Sequence, residues 1–232
     1  MKPSRAASLV MVLLAAALLS GLATGCHPKK RAPERTAEEL ARDGMAAYTR
    51  GDYTDSIRDF EMLRDWYPFS KFLILAELKL PDAHFQREEY EEAAVGYDHF
   101  EKMHPANEAV PYVIYQLGMC HYKRLRDADR DQTPASEALA AFNRLISEYP
   151  ASPYAKKAAD PIRTCQEHLA EHELTIGRYY LRHGNYAAAL KRFENVMTRY
   201  PDVGVHHKAL DLIAETRSRM GGKAPETKPA AK

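Results

Sequence analysis

The sequence predicts an all-α protein in which about five helical hairpins stack into a superhelix. Three observations indicate this fold: one apolar pattern occurs four times, a proline ends each copy, and a small residue lies within three of the copies, at Ser56, Ala93 and Ala189. Apolar residues three and four positions apart form the one-sided stripe of an amphipathic helix. A single hairpin cannot bury its stripe alone, so neighbouring copies are expected to stack.

The order of the elements follows from the residues that begin, turn and end each copy. Thr36 and Glu39 form a capping box, which predicts the start of the first helix. Gly51 and Gly184 predict the corner between the two helices of the first and fourth copies. Proline ends a helix because it has no N–H and its ring clashes with the preceding turn. The closing prolines are Pro68, Pro105, Pro150 and Pro201. This pattern is similar to the tetratricopeptide repeat.

Several segments depart from the repeat pattern, and each predicts a particular local structure. Glu88 occupies the corner of the second copy, which predicts a different turn or a strained backbone. Pro81 lies inside the first helix of that copy, where it predicts a kink or an interruption. Residues 124–134 are charged and too many for a tight turn, so they predict a surface loop. Residues 204–220 predict a final helix that caps the stack.

The N-terminus has the layout of a secretory signal. Lys2 and Arg5 precede an uncharged apolar run at residues 9–22, which is followed by small residues and Cys26. This resembles the lipobox of bacterial lipoproteins, which implies cleavage before Cys26 and a diacylglycerol and acyl (palmitate-type) anchor on that residue. The alternative is a transmembrane anchor, although the run is shorter than the ~20 residues that a spanning helix needs.

The predicted organisation has four parts. Residues 1–25 form the lipoprotein signal peptide, residues 26–35 a lipidated tether, and residues 36–220 the tetratricopeptide-repeat domain. Residues 221–232 are rich in Lys, Pro and Ala, which predicts a disordered tail. His27 follows the predicted lipidated cysteine in place of an aspartate, which by analogy with lipoprotein sorting permits transfer to the outer membrane.

The net charge and the cysteines limit the classes of function that the sequence predicts. The chain has a formal net charge of +1, and removal of the signal with Lys2 and Arg5 lowers it by two to −1. This charge is not basic enough to predict a nucleic-acid partner. Cys120 and Cys165 lie among apolar neighbours and predict buried thiols, with a disulfide as the alternative in an oxidising periplasm.

The sequence contains no P-loop, dinucleotide fingerprint, nucleophile elbow or paired CxxC. His168 and His172 are four positions apart and could share a metal ion, but no third ligand is evident, so we interpret them as part of a helix face. The sequence therefore predicts a binding protein without cofactor or metal. The alternative, a peptidoglycan-acting or metal-dependent hydrolase, would need a site built from scattered groups.

Several segments are more specific than the repeat pattern. They are Gly51-Asp52-Tyr53, Trp66-Tyr67-Pro68-Phe69-Ser70, His104-Pro105, Arg130-Asp131-Gln132-Thr133-Pro134, Leu169-Ala170-Glu171-His172-Glu173 and Arg178-Tyr179-Tyr180. In this order they resemble the BamD family of outer-membrane-assembly lipoproteins over residues 36–220. The resemblance implies a lipid-anchored protein at the periplasmic face of the outer membrane. Its implied partners are the POTRA domain of BamA and nascent β-barrel proteins.

The resemblance also implies two sets of site residues. The last repeats are expected to bind BamA through Tyr179, His183 and Arg192. The N-terminal repeats are expected to bind client polypeptides in the concave groove that an array of hairpins presents. The candidate groove residues are Tyr48, Asp52, Trp66, Tyr67 and Phe69. The alternative is a tetratricopeptide scaffold lipoprotein of another envelope complex, pilotin-like or associated with Tol-Pal.

Overall fold

A computed structural model describes residues 35–221, and every regular element in this range is an α-helix. The helices are α1 (Ala37–Arg50), α2 (Tyr53–Trp66), α3 (Leu73–Gln86), α4 (Tyr90–Met103), α5 (Val110–Tyr122), α6 (Thr133–Glu148), α7 (Pro153–Lys157), α8 (Ala159–Arg182), α9 (Tyr186–Arg199) and α10 (His206–Gly221). The predictions for the signal peptide, the lipidated Cys26, the tether and the C-terminal tail lie outside the described residues, except for Arg35 and Gly221.

The helices pair into four antiparallel hairpins, α1–α2, α3–α4, α5–α6 and α8–α9, and α10 follows where a fifth hairpin would begin. Each helix packs on the next one in the chain. First helices of neighbouring hairpins also touch: α1 contacts α3, α5 contacts α8, and α8 contacts α10. The first helices therefore lie on the inner side of the stack, and the predicted all-α tetratricopeptide superhelix is confirmed.

Three of the four hairpins share one close contact between their two helices. A glycine on the first helix faces the ring of a fully buried phenylalanine on the second. The pairs are Gly44–Phe60, Gly118–Phe142 and Gly177–Phe193. A Cβ on Gly118 would lie 2.5 Å from Cε1 of Phe142, so only glycine fits there. The predicted small residues Ser56, Ala93 and Ala189 are also fully buried, as this close packing requires.

The second hairpin replaces this glycine and phenylalanine with Pro81 and Tyr97, each 37 positions after Gly44 and Phe60. The expected interruption at Pro81 does not occur, because α3 is one unbroken helix. The proline ring packs on Gly96 of α4, where an added Cβ would lie 2.8 Å from the Cβ of Pro81. Since Gly96 leaves room for the ring, the helix keeps its packing despite the hydrogen bond that proline cannot donate.

The corners between paired helices use one backbone turn. Gly51 and Gly184 have φ values of 83° and 74°. Glu88 adopts the same left-handed conformation, with φ of 63°, and no other non-glycine residue between 35 and 221 has a positive φ. In all three corners the next backbone N–H donates to the carbonyl oxygen five residues earlier, at 2.9 to 3.0 Å. The turn is thus unchanged and the predicted strain at Glu88 is confirmed.

The predicted charged loop lies between α5 and α6, at residues 123–132. The side-chain amide of Gln132 donates to the carbonyl oxygen of Asp127 at 2.9 Å, which holds the loop together. Nδ1 of His172 lies 2.6 Å from the carbonyl oxygen of Ala128, so the imidazole donates this bond and connects the loop to α8. His, Cys, Asp and Glu side chains in the described range form no group of three that could hold a metal ion.

Further predictions about the helices and the cysteines are confirmed. The final helix is α10, and the closing prolines follow the ends of α2, α4, α6 and α9. Cys120 and Cys165 are buried free thiols. Burial raises the pKa of Cys120 to about 12 and that of Cys165 to about 11, so both are poor nucleophiles. Between residues 35 and 221, no helix is both long and apolar enough to cross a bilayer.

Candidate functional site

Four half-buried tyrosines lie on the first helices of the first and third hairpins and on the short helix α7. Tyr112 and Tyr154 line an open cavity of about 520 Å³ together with Lys79. Their ring centroids are 5.4 Å apart, and Tyr115 lies 5.7 Å from Tyr154. Lys79 Nζ lies 5.0 Å from the ring centroid of Tyr48, a cation–π distance. We call Tyr48, Tyr112, Tyr115 and Tyr154 the inner tyrosine surface.

A buried carboxylate lies directly beneath this surface. Asp82 on α3 is 1% exposed, and its Oδ1 accepts hydrogen bonds from the hydroxyls of Tyr97 at 2.7 Å and Tyr112 at 2.6 Å. Lys79 Nζ donates to Oδ2 at 2.7 Å. Gln116 donates to the Tyr112 hydroxyl at 3.1 Å. Because both carboxylate oxygens have donors, the buried charge is satisfied and the positions of Lys79 and Tyr112 are fixed.

The environment of Asp82 keeps the neighbouring phenols protonated. Burial first, and the charge of Asp82 second, raise the pKa of Tyr97 and of Tyr112 above the ordinary value for tyrosine. The same two causes raise the pKa of Tyr48 to about 12. These hydroxyls are therefore hydrogen-bond donors at any physiological pH.

The structure does not bring the five predicted groove residues together. Tyr48 lies on α1 and belongs to the inner tyrosine surface. Asp52 lies in the α1–α2 corner, where Arg50 Nε donates to its Oδ2 at 3.0 Å. Trp66 and Phe69 are exposed at the opposite end of α2, a helix of 14 residues and so about 21 Å long. Tyr67 packs against the apolar core of the first hairpin.

Sequence reasoning missed Lys79, Asp82, Tyr112 and Tyr154. One signal could have found the centre of this group: Asp82 is a lone acid within the apolar stretch Leu80-Pro81-Asp82-Ala83. An acid in such a position is buried only when donors surround it.

The predicted partner-binding residues of the fourth hairpin form two groups. At the end of α8, Tyr179 is 52% exposed and its ring centroid lies 4.2 Å from that of His183. Nδ1 of His183 donates to the carbonyl oxygen of Tyr179 at 2.7 Å, which leaves Nε2 free to accept. Tyr179 and Tyr180 also line an open cavity of about 160 Å³ with His172.

Arg192 lies on α9 and is bound within the protein. Its Nη1 donates to both carboxylate oxygens of Glu173, at 3.2 and 3.3 Å, and Asn195 Nδ2 donates to the same carboxylate at 3.2 Å. Glu173 is 6% exposed, whereas the side chain of Arg192 is 37% exposed. The buried acid therefore holds one edge of the guanidinium and leaves the rest open to solvent.

The pairing of the helices into stacked hairpins defines a tetratricopeptide-repeat protein. Residues 33–232 match the family model of the YfiO outer membrane lipoproteins, and the chain belongs to this family. The resemblance to the BamD family is confirmed by curated relatives named outer membrane protein assembly factor BamD. The relative from Caulobacter vibrioides is 30% identical over 215 residues, which cover 90% of this chain and 70% of the relative.

A second relative of the same name, from Pasteurella multocida, is 28% identical over 225 residues, which cover 93% of this chain and 86% of the relative. Among solved structures, a tetratricopeptide-repeat protein of Thermus thermophilus is similar with a TM-score of 0.43 and 16% identity. That match covers 80% of this chain and 99% of the other. The matched family is described as outer membrane lipoproteins and both relatives are named assembly factors, so no catalytic family is indicated.

Proposed function

We propose that this chain is a lipid-anchored component of the β-barrel assembly machinery at the periplasmic face of the outer membrane. In this proposal the signal (1–25) is removed and Cys26 carries the lipid. One observation carries the proposal: residues 33–232 match a family of outer membrane lipoproteins along almost the whole chain. The names of the relatives from several bacteria support the assembly role.

The protein would act by binding and positioning, without a covalent step. Its proposed partners are the POTRA domain of BamA and nascent β-barrel proteins. Several modest contacts on one rigid array raise the effective concentration of a client near BamA, while each contact stays weak enough to exchange. The lipid anchor would confine this exchange to the membrane surface.

The inner tyrosine surface is the proposed client site. Its half-buried rings offer flat apolar faces for the alternate side chains of an extended peptide. A β-barrel segment that ends in an aromatic residue offers such side chains. Of the residues predicted for the groove, Tyr48 is the one that belongs to this surface.

Photo-crosslinking tests the client site. A photoreactive phenylalanine analogue at Tyr154 should crosslink to newly made β-barrel proteins in cells. The same analogue at Val95 is the control, because Val95 is 71% exposed but lies on α4, a second helix. Equal crosslinking from both positions would contradict a client site on the inner surface.

The end of α8 and the open edge of Arg192 are the proposed BamA site. Tyr179 offers an exposed ring and His183 an unpaired acceptor nitrogen. Arg192 is tested with Arg192→Gln, since Arg192→Glu would place a second carboxylate beside the buried Glu173 and weaken the hairpin itself.

Co-purification from solubilised native membranes tests the partner. The wild-type chain should bring down BamA, and Tyr179→Ala combined with Arg192→Gln should lower the yield of BamA. Leu210→Ala is the matched control, because Leu210 is 55% exposed on α10, outside the proposed site. A wild-type eluate without BamA would reject the proposed function and favour a scaffold of another envelope complex.

A further inference from the structure

The turn between α2 and α3 carries an exposed aromatic group. Phe69 is 99% exposed, Trp66 is 52% exposed and Ile74 is 43% exposed. Lys71 is also exposed, with its Nζ 5.0 Å from the ring centroid of Phe72. Large apolar side chains clustered at the surface mark an interaction site. We call Trp66, Phe69, Lys71 and Ile74 the aromatic turn.

The same backbone turn occurs twice more without an aromatic tip. The turns after α2, α4 and α6 each begin with a residue at φ between −129° and −131° and ψ between 53° and 55°. Each is closed by a backbone N–H to carbonyl bond of 3.0 Å across three residues. The residue after the closing proline is Phe69, Ala106 and Ala151 in turn. Because alanine supports this backbone, the ring of Phe69 is not needed to form the turn.

The aromatic turn lies at the same end of the first hairpin as the start of α1, which the proposed tether precedes. The helices α1 and α2 are antiparallel, since a two-residue corner joins them and Gly44 faces Phe60 across the pair. The end of α2 therefore returns to the start of α1 at Ala37. Ala37 is eleven residues after Cys26, a distance that an extended chain spans with at most ~40 Å.

We propose that the aromatic turn is a second membrane contact, whose occupant is the phospholipid bilayer surface. Trp66 enters the interfacial layer, where an aromatic ring with a polar N–H is favoured, and Phe69 buries its apolar ring beside it. Lys71 extends its ammonium group to the lipid phosphates while its stem stays among apolar groups. This contact rests on the lipid anchor of the proposed function. With the lipid anchor alone, the stack of helical hairpins could rotate relative to the membrane. The contact through the aromatic turn fixes its orientation.

The shape of the aromatic turn favours lipid over a client polypeptide. Phe69 has almost no neighbouring side chains, so it protrudes. The rings of Tyr112 and Tyr154, in contrast, are half-buried and line a cavity that can enclose a peptide side chain. A protruding ring becomes buried when it enters the lipid interface, whereas it forms no pocket that could enclose a peptide side chain.

Trp66 is the single tryptophan of the chain, so its fluorescence reports on the aromatic turn alone. The mature lipidated protein is reconstituted in vesicles of phosphatidylethanolamine and phosphatidylglycerol. We expect a blue shift of Trp66 emission and quenching by lipids with brominated acyl chains. Phe69→Asp should lower the quenching, and Ala151→Asp in the matched turn should not.

An unlipidated Cys26→Ser protein separates the turn from the anchor. Its partitioning into the same vesicles should fall by roughly tenfold on Phe69→Asp, because one large apolar side chain is no longer buried. Equal partitioning of the two proteins would overturn the membrane contact. Mass spectrometry that shows an unmodified Cys26 in the native protein would instead reject the proposed lipid anchor. In that case the membrane contact of the aromatic turn is decided by the partitioning of the two unlipidated proteins, Cys26→Ser with and without Phe69→Asp.

Two other outcomes of the fluorescence experiment would overturn the membrane contact. In the first, the lipidated protein stays on the vesicles while Trp66 remains unquenched by brominated lipids, which leaves the anchor intact. In the second, Trp66 is protected only after addition of a β-barrel peptide with an aromatic last residue. That result would assign the aromatic turn to client binding.

Discussion

The second and fourth hairpins each bury one carboxylate, and they satisfy it with different partners. In the second hairpin, Asp82 accepts from two tyrosine hydroxyls and from Lys79. In the fourth, Glu173 accepts from Arg192 and Asn195. The donors to Asp82 come from α3, α4 and α5, so that acid joins two hairpins, whereas the donors to Glu173 come from α9 alone.

This difference indicates a structural role for the Asp82 group and a binding role for Arg192 beside Glu173. The side chain of Lys79 is 23% exposed and that of Arg192 is 37% exposed. The cation beside Asp82 is thus held more tightly beneath the inner tyrosine surface, while the cation beside Glu173 keeps an open edge for a partner. We therefore expect changes at Asp82 to act mainly on stability and changes at Arg192 to act mainly on binding.

The largest expected effect is on stability at Asp82. Asp82→Ala leaves the fully buried Tyr97 hydroxyl without its acceptor and Lys79 without its counter-ion. We expect the free energy of unfolding to fall by about 3 to 5 kcal/mol, as when one partner of a buried pair is removed. Urea unfolding followed by circular dichroism measures this change.

Asp82→Asn is the matched control for that experiment. It keeps one acceptor oxygen for a phenol and removes only the charge, so it should cost less than Asp82→Ala. A loss below about 1 kcal/mol in Asp82→Ala would show that the carboxylate is not the joint between the two hairpins.

Alkaline pH should weaken the Asp82 region. Tyr48, Tyr97 and Tyr112 have raised pKa values, as does Cys120. A raised pKa in the folded state means that the unfolded chain releases its protons first. Stability from these groups is therefore complete below about pH 9, where the unfolded thiol begins to ionise, and falls as pH rises through 10 towards 12.

Urea unfolding at a series of pH values from 8 to 11 tests whether the free energy of unfolding decreases as the pH rises. Tyr97→Phe removes one titrating phenol, so its free energy of unfolding should fall less steeply with pH than that of the wild type. A wild-type stability that is constant up to pH 11 would contradict the burial of these phenols in the fold.

Changes at Glu173 should be milder. Glu173→Ala removes the acceptor of Arg192, but the partly exposed guanidinium can bind water in its place. We expect a loss of about 1 to 2 kcal/mol, less than for Asp82→Ala. Asn195→Ala, which removes a neutral donor to the same carboxylate, is the comparison variant. A loss at Glu173 equal to that at Asp82 would remove the distinction between the two hairpins.

The repeats could be predicted from the sequence because the residues that define them are close together in the chain. Helix stripes, corner glycines and closing prolines lie within a few residues of the elements that they define. The Asp82 network joins residues 15 and 30 positions apart, and no local pattern encodes such pairs. The groove prediction placed Trp66 and Phe69 with Tyr48 because all three lie in the N-terminal repeats, whereas the structure puts Tyr48 on α1 and the other two at the far end of α2.

The smallest expected effect concerns the corner, where the second and fourth hairpins form the same backbone turn with different residues. The second hairpin has Glu88 at a left-handed position and the fourth has Gly184. Glu88→Gly should stabilise the protein by roughly 0.5 to 1 kcal/mol, because the relief of backbone strain exceeds the added flexibility of the unfolded chain. Gly184→Ala should destabilise it by a similar amount, since alanine would adopt the same strained conformation. Thermal unfolding of the two variants compares them directly, and a fall in Tm for Glu88→Gly would mean that the glutamate side chain contributes more than its backbone costs.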